Sequence, residues 1–150
     1  MLKIRKFKKG HIKSIQNILK KVFNKKDFTK ARKNLIDGLK PNKKVYVERF
    51  VAVINKKVRG RCGIYRFQNH PRNLIGLGWF ALNPEYQRKG IGKKLLKLIE
   101  KKAKILGKKL IFVWTDKNAV KFYRKHGYRK TSLKLIPKEG NLLLIKRLKP

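Results

Sequence analysis

A short segment between a strand-like run and a long helical pattern constrains the fold of this chain more than any other feature. Residues 87–92 read Gln-Arg-Lys-Gly-Ile-Gly, after the apolar run 74–82 and before an amphipathic pattern over residues 90–106. A helix N-terminus leaves several backbone N–H groups without partners, and two glycines let a ligand approach the backbone without meeting a Cβ. The segment therefore predicts a phosphate site, although the same turn also occurs simply to pack a helix against a strand.

A second pattern, after the strand-like run 110–114, helps to decide between these interpretations. Within the segment 87–92, the residues that matter are Gln87, Gly90 and Gly92. The second consists of Asn118, Ala119, Phe122, Tyr123, Gly127 and Tyr128. In this order, and at a separation that one helix and one strand would fill, they resemble the two signatures of the GNAT superfamily, the acyl-CoA-dependent N-acyltransferases. The resemblance is clear over residues 74–128.

The remaining elements are predicted from periodicity and turn residues. Residues 2–5 alternate as a short strand, and apolar residues recur at helical spacing over residues 12–23. Asp27 is a predicted N-cap of a second helix that ends near Gly38. Gly76 and Gly78 predict a bulge, or the close approach of a ligand, inside their strand. Strands are predicted at residues 45–54 and 58–67 as a hairpin, and then at 74–82, 109–114 and 142–148.

The resemblance implies an α/β (α+β) class and a single GNAT-like domain over residues 1–150. Its central sheet would be mixed and mostly antiparallel, and helices would flank it. Strands 74–82 and 109–114 would run parallel, connected by helix 90–106 in a right-handed unit. In the family these two strands splay and leave a slot for the pantetheine arm of the acyl donor.

The resemblance also assigns residues to acetyl-CoA as co-substrate. Backbone N–H groups of the bulged strand would meet the thioester carbonyl, because preorganised amides stabilise a developing oxyanion. Asn118 would hydrogen-bond the cofactor arm; it is equally consistent with an N-cap of the short helix that follows, and the two roles are compatible. The predicted cofactor-binding residues are Phe80, Ala81, Leu82, Gln87, Arg88, Lys89, Gly90, Ile91, Gly92, Lys93, Asn118 and Tyr123.

Tyr123 and Glu48 are the candidate catalytic residues. Tyr123 occupies the signature position of the acid, and a phenol with a reference pKa of about 10 keeps its proton until a thiolate with a pKa of about 8.5 needs it. The alternative is that Tyr123 only packs a helix. None of the seven carboxylates lies in residues 74–82, so Glu48 is the candidate base, acting through water. Glu85, His70 and His126 fit that role less well.

The chain carries 44 Lys and Arg against 7 Asp and Glu, a net charge of +37. Such a field attracts polyanions and repels cationic ligands, so we expect an acidic partner, RNA or the ribosome among them. A lysine-rich bias of the whole proteome is the alternative. One cysteine and three scattered histidines offer no metal-ligand spacing, so no metal is expected. The sequence contains neither a signal peptide nor an apolar run of membrane-spanning length, and we expect a cytoplasmic protein.

These observations predict an N-acetyltransferase that transfers an acetyl group from acetyl-CoA to an amine by direct attack. The acceptor would be a protein N-terminus or a lysine. An amine of low pKa, such as a peptide N-terminus, would tolerate the absence of a base. Two alternatives remain open: a basic nucleic-acid- or ribosome-binding module with weak or no catalysis, and a small-molecule amine acetyltransferase.

Overall fold

The computed structural model describes residues 1–26, 28–29, 32–33, 46–136, 138 and 140–150. Within these residues, the α-helices are α1 (Ile12–Val22), α2 (Ile91–Ile105) and α3 (Val120–Lys125). The strands are β1 (Leu2–Lys6), β2 (Tyr46–Ile54), β3 (Lys57–Arg66), β4 (Leu74–Leu82), β5 (Leu110–Thr115), β6 (Arg129–Lys130) and β7 (Leu142–Arg147). Short 3₁₀ helices lie at Lys9–His11 and Pro84–Tyr86.

The seven strands form one mixed sheet in the order β1-β2-β3-β4-β5-β7-β6. β1 pairs antiparallel with β2, and β7 pairs antiparallel with both β5 and β6. β4 and β5 run parallel, and their register ends at Leu77↔Val113 although β4 continues to Leu82. The predicted fold class, a mostly antiparallel mixed sheet flanked by helices, is therefore confirmed.

Local sequence explains where the elements begin and end. Ile15, Ile18 and Leu19 recur at helical spacing and are the buried residues of α1. Asn55 and Lys56 have φ of 51° and 66°, and this two-residue turn with positive φ matches the twist of a β-hairpin. The predicted hairpin is thus confirmed, with Lys57 in the strand. Gly107, with φ of 78°, follows the end of α2, as the sequence predicted.

The chain divides into two compact units. The first contains the described residues of 1–43, 48–63 and 79–96, and the second those of 44–47, 64–78 and 97–150. In the first unit, the buried residues of α1 pack with Val51 and Ala81, and Phe7 lies against them. In the second, the rings of Tyr65 and Phe112 meet edge to face at 5.6 Å. The prediction of a single domain over residues 1–150 stays a prediction.

Part of one predicted element lies outside the described residues. Residues 25–26, 28–29 and 32–33 are helical, but the predicted N-cap Asp27 and the predicted helix end near Gly38 are not described. In the portion of the chain that is described, no helix is both long enough and apolar enough to cross a membrane.

Candidate active site

The segment that joins β4 to α2 is held in shape by its own hydrogen bonds. The buried Asn83 donates its backbone N–H to the carbonyl of Arg59 at 2.7 Å, and its side chain accepts from the N–H of Glu85 at 3.1 Å. Gln87 then donates from Nε2 to the carbonyl oxygen of Leu82 at 2.9 Å. The Gln87 side chain therefore fixes the loop against the end of β4. Sequence reasoning missed Asn83, although an Asn-Pro pair is a recognised turn signal.

The predicted phosphate loop adopts a backbone conformation that brings its amides to the surface. Arg88 and Gly90 both have positive φ, at 60° and 77°. A Cβ added at Gly90 would meet nothing within 4 Å, so the space beside this residue is open. The first intrahelical hydrogen bond runs from the N–H of Lys94 to the carbonyl of Gly90 at 3.2 Å, and the amides before Lys94 therefore precede the helical ladder.

This loop has the chemistry of an anion site. Amides at a helix start carry partial positive charge, and the exposed side chains of Arg88, Lys89 and Lys93 add full charges. The described part of the loop carries one acid, the exposed Glu85, which lies 3.9 Å from Lys21 in a weak surface pair. The assignment of residues 87–93 to acetyl-CoA stays a prediction.

β4 departs from regular strand geometry at Trp79, next to Gly76 and Gly78, where the sequence predicted a bulge; we call Trp79 the bulge residue, and the predicted bulge itself stays a prediction. This residue has φ of 54° in the middle of the strand, a conformation rare for a bulky side chain and typical of functional sites. The Arg49 guanidinium lies 4.0 Å from the Trp79 ring centroid, a cation–π contact. Gly63 lets the ring lie against the backbone, because a Cβ there would come 2.5 Å from Cε3 of Trp79 and 2.9 Å from the carbonyl of Glu48.

The glycines of β4 have a different explanation. A Cβ at Gly76 would meet the rings of Phe112 and Tyr65 at 2.6 and 2.8 Å, so packing of aromatic side chains requires glycine there. Phe80, Ala81 and Leu82, which follow the bulge, are the predicted carbonyl-binding residues. Ala81 and Leu82 are buried and Phe80 is half-buried. Their role toward the thioester stays a prediction.

Glu48, the candidate base, is half-buried on β2 beside Arg49. Three strands thereby bring a carboxylate (β2), arginines (β2 and β3) and the bulge residue (β4) into the first unit. Arg61, on β3, is 6% exposed, and its Nε has no hydrogen-bond partner among the described residues. Burial, and then the positive charge of Arg49, lower the pKa of Arg61 to about 10. Sequence reasoning missed Arg61, because a charged residue that alternates with apolar ones in a strand is expected to face solvent.

In the second unit, Asp116 shapes the turn before α3. Its Oδ1 accepts from the N–H of Asn118 at 2.9 Å and of Ala119 at 3.0 Å. The N-cap position of α3 is Ala119, so the alternative that Asn118 caps this helix is wrong. The Asn118 side chain is exposed, and the predicted hydrogen bond to the cofactor arm remains a prediction.

Tyr123 lies on α3 and is 5% exposed. Its ring meets those of Phe122 and Tyr128 edge to face, at 5.2 and 5.5 Å. Packing and a role as an acid are compatible, since the hydroxyl stands at the end of a ring whose sides are held. The structure gives Tyr123 a fixed position, while its chemical role stays a prediction.

The same unit contains a buried ionic cluster in which every member has a hydrogen-bond partner within the cluster. Glu100 accepts from the hydroxyl of Tyr128 at 2.8 Å and from Nζ of Lys146 at 3.0 and 3.1 Å. Burial, followed by the charge of Glu100, raises the pKa of Tyr128, so its hydroxyl remains a donor. We call Glu100, Tyr128 and Lys146 the Glu100 cluster.

The other polar candidates have structural partners. His70, which the sequence placed in a turn, is buried; its Nδ1 accepts from the N–H of Phe67 at 3.3 Å. The ring of His126 lies 4.9 Å from that of Phe122. Among the residues with described positions, no group of His, Cys, Asp and Glu is arranged to hold a metal ion.

Comparison with known proteins agrees with the fold and with the order of the two signatures. The family model of the acetyltransferase (GNAT) domain matches residues 45–130, more than half of the chain. The structure is similar to a GNAT-family acetyltransferase of Staphylococcus aureus, with a TM-score of 0.77, 20% identity and coverage of 99% of this chain and 100% of that one. It is also similar to PaiA N-acetyltransferase of Thermoplasma acidophilum, solved with coenzyme A, with a TM-score of 0.72, 15% identity and coverage of 98% and 99%.

Among curated relatives, an amino-acid acetyltransferase of Pseudomonas aeruginosa is 39% identical over 61 residues. The match covers 41% of this chain and only 14% of that protein's length. The family match, which includes the phosphate loop and the whole of the second signature, confirms the predicted membership. The chain belongs to the GNAT family of acetyltransferase domains.

Proposed function

We propose that this protein transfers an acetyl group from acetyl-CoA to the nitrogen of an amine by direct attack in a ternary complex. The observation that carries the proposal is the loop 87–93, whose positive-φ residues Arg88 and Gly90 open a helix N-terminus beside unobstructed space. Amides and cations so arranged suit the pyrophosphate of the acyl donor. Family membership supports the same donor.

Three roles in the reaction have candidate groups in this chain: stabilisation of the oxyanion, protonation of the thiolate, and acceptance of the amine's proton. The free-base amine attacks the carbonyl carbon of the thioester, and amides after the Trp79 bulge stabilise the oxyanion. The carbon–sulfur bond breaks, and Tyr123, assigned from the family signature, protonates the departing thiolate. The attacking nitrogen loses its proton to a water molecule, and Glu48 is the candidate base that accepts the proton from this water. Coenzyme A and the N-acetylated acceptor leave as products.

The acceptor follows from the amine's own chemistry. An α-amino group with a pKa of about 7.7–8.0 is deprotonated far more often at neutral pH than a lysine at about 10.4, so a protein N-terminus is preferred over lysine. The name of the Pseudomonas relatives adds free amino acids to these candidates. The net charge of +37 disfavours polyamines, because like charges repel.

The experiment is incubation of the protein with acetyl-CoA and three sets of acceptors: peptides with free N-termini, amino acids, and the proteins of a cell extract. Thiol release gives the rate, and mass spectrometry identifies the species that gains an acetyl group. We expect acetylation that depends on both enzyme and acceptor. Acetyl transfer to amines would be rejected if thiol were released equally fast without any acceptor, or if no acceptor caused release of thiol.

A second candidate function, binding of RNA or ribosomes, is favoured by one observation. The lysines along α2 at positions 93, 94, 97, 101 and 104 are all exposed. Each phosphate neutralised on single-stranded RNA contributes about −0.7 to the slope of log affinity against log salt, so a contact with five phosphates gives about −3.5. Exposed lysines contact phosphates and do not read bases, so little sequence preference is expected.

The test of this second function is a salt titration of RNA binding, together with co-purification at near-physiological salt. Any protein this basic shows some slope, so co-purified RNA or ribosomes that raise acetylation of a bound protein are also required. If neither occurs, a proteome-wide bias is the better account of the charge.

A further inference from the structure

Arg61 carries a buried positive charge whose surroundings oppose it. Its side chain lies inside the first unit with 6% exposure, and its Nε is shielded from solvent without a hydrogen-bond partner in the described chain. The charge that acts on it most is that of Arg49, which is also positive. Desolvation and the like charge of Arg49 both act against the charged form of the Arg61 guanidinium.

The position of this pair relative to the reacting group follows from a chain of contacts within the first unit. The Arg61 guanidinium is coupled electrostatically to Arg49, and Arg49 stacks on Trp79 at 4.0 Å. Trp79 is the bulge residue of β4, directly before the amides assigned to the thioester carbonyl. The arginines therefore belong to the part of the unit where the acceptor amine must arrive.

We propose that Arg61, with Arg49, binds the carboxylate of the acceptor, and that the acceptor is a small molecule carrying this carboxylate next to its amine, as an α-amino acid does. A guanidinium presents a planar fork of donors that matches a carboxylate. The inference rests on the proposed function, because it names the acceptor of that reaction.

The same two charges would also help the reaction itself. Positive charge beside an ammonium lowers its pKa and so raises the fraction of free base. The acceptor's carboxylate would offset the repulsion that keeps other amines away from this site. The site would then need less help from a base, in agreement with the absence of a carboxylate in β4.

The first arm of the test uses wild type, Arg61→Met and a control, Arg5→Met. Arg5 is exposed on β1, so its replacement removes the same charge from the surface. The probes are L-α-amino acids and their α-carboxamides, each with acetyl-CoA. For at least one pair, wild type and Arg5→Met should prefer the acid by about tenfold or more in kcat/KM, equivalent to about 1.4 kcal/mol. Arg61→Met should lose this preference, chiefly through KM.

The second arm excludes the phosphates of acetyl-CoA as the anion that Arg61 binds. Calorimetry should give the same acetyl-CoA affinity, within about twofold, for wild type and Arg61→Met, less than about 0.5 kcal/mol. A loss of affinity for acetyl-CoA with the acid preference retained would overturn the proposal in favour of the co-substrate.

The third arm measures stability, which separates a binding role from a structural one. Without ligands, Arg61→Met should melt no lower than wild type, because the unbranched apolar methionine removes a desolvated charge that Arg49 repels. The amino acid of the preferred pair should raise the melting temperature of wild type but not of Arg61→Met. If Arg61→Met is destabilised and keeps the acid preference, Arg61 is structural.

Failure of this inference and failure of the proposed function give different results. Acetylation of amines with no preference for acids over amides overturns the carboxylate site and leaves the transferase. Stabilisation of wild type by an amino acid through Arg61, without acetyl transfer, keeps the site and rejects the reaction. Neither transfer nor stabilisation rejects both.

Discussion

Among the described residues, the Glu100 cluster and the buried Arg61 differ in whether their charged groups have hydrogen-bond partners. In the Glu100 cluster, the carboxylate holds a hydroxyl and an ammonium at 2.8–3.1 Å, so every member has a partner. In the strands that carry Arg61, burial and a second positive charge act against the guanidinium, and its Nε has no partner in the described chain. We therefore assign a structural role to the Glu100 cluster and keep for Arg61 the proposed role in ligand binding.

The largest expected effect separates two tyrosines of the second unit. Tyr123→Phe keeps the ring and removes the proposed acid, so turnover should fall by about 10²-fold or more while acetyl-CoA affinity stays the same. Tyr128→Phe removes a donor from the Glu100 cluster, so it should lower the free energy of unfolding by about 1–3 kcal/mol and spare turnover. Steady-state kinetics and denaturant titration measure both. Wild-type turnover in Tyr123→Phe would make Tyr123 a packing residue.

The next effect tests whether the Glu100 cluster is structural. Glu100→Gln removes the charge that Lys146 faces and should lower the free energy of unfolding by about 2–3 kcal/mol, below the usual cost of breaking a buried pair. The reduction is expected because the Lys146 side chain keeps 26% exposure. Arg61→Met, in contrast, should not lower the free energy of unfolding. Equal losses in the two variants would remove the distinction between the two regions.

Acetyl-CoA affinity should be about tenfold sensitive to a change at the N-terminal end of α2 and insensitive to the same change at its C-terminal end. Gly90 and Gly107 flank this helix with φ of 77° and 78°, and a Cβ at either position would meet nothing within 4 Å. Gly90→Glu and Gly107→Glu therefore carry the same strain and the same added charge. Only the first should weaken acetyl-CoA binding, by about tenfold or about 1.4 kcal/mol in calorimetry. Similar weakening by both variants would indicate a general effect of charge.

The smallest effect concerns Cys62, the neighbour of Arg61 in β3. Burial raises the pKa of this thiol, so little thiolate exists at pH 8 and alkylation of the native protein should be slow. The buried charge of Arg61 opposes packing of β3, and its removal should not make the strand open more often. Cys62 in Arg61→Met should therefore be alkylated no faster than Cys62 in wild type. Protein unfolded in guanidinium is the control for intrinsic reactivity. Faster labelling of Arg61→Met would show that Arg61 supports the strand.

Local pattern was enough to predict much of the fold. The strand Leu74–Leu82 follows from an apolar run between turn residues, and the helix Ile91–Ile105 from apolar periodicity between two glycines; both lie within a residue or two of the predicted positions. Trp79 shows where such reasoning ends. Its positive φ depends on Arg49 and Gly63, which come from other strands, and no local preference of tryptophan predicts it.

The candidate site could be predicted only where the chemistry is local. The glycines and cations of the phosphate loop are adjacent in sequence, so the loop was evident. Arg61 was not, because a strand pattern gives the alternation of faces but not what covers each face. By spacing alone, Asn118 fits both binding of the cofactor arm and capping of α3. The structure places the N-cap at Ala119, and Asp116 accepts a hydrogen bond from the N–H of Asn118.

The contact between Gly63 and Trp79 has a consequence for how this sequence can change over generations. A Cβ at position 63 would come 2.5 Å from the indole and 2.9 Å from the carbonyl oxygen of Glu48, so alanine there requires both a smaller residue at position 79 and a shift of the backbone. A smaller residue at 79 would in turn leave Arg49 without its aromatic surface. The three positions form an epistatic set in which the order of substitutions matters. A substitution at any one of them therefore changes the packing of the other two.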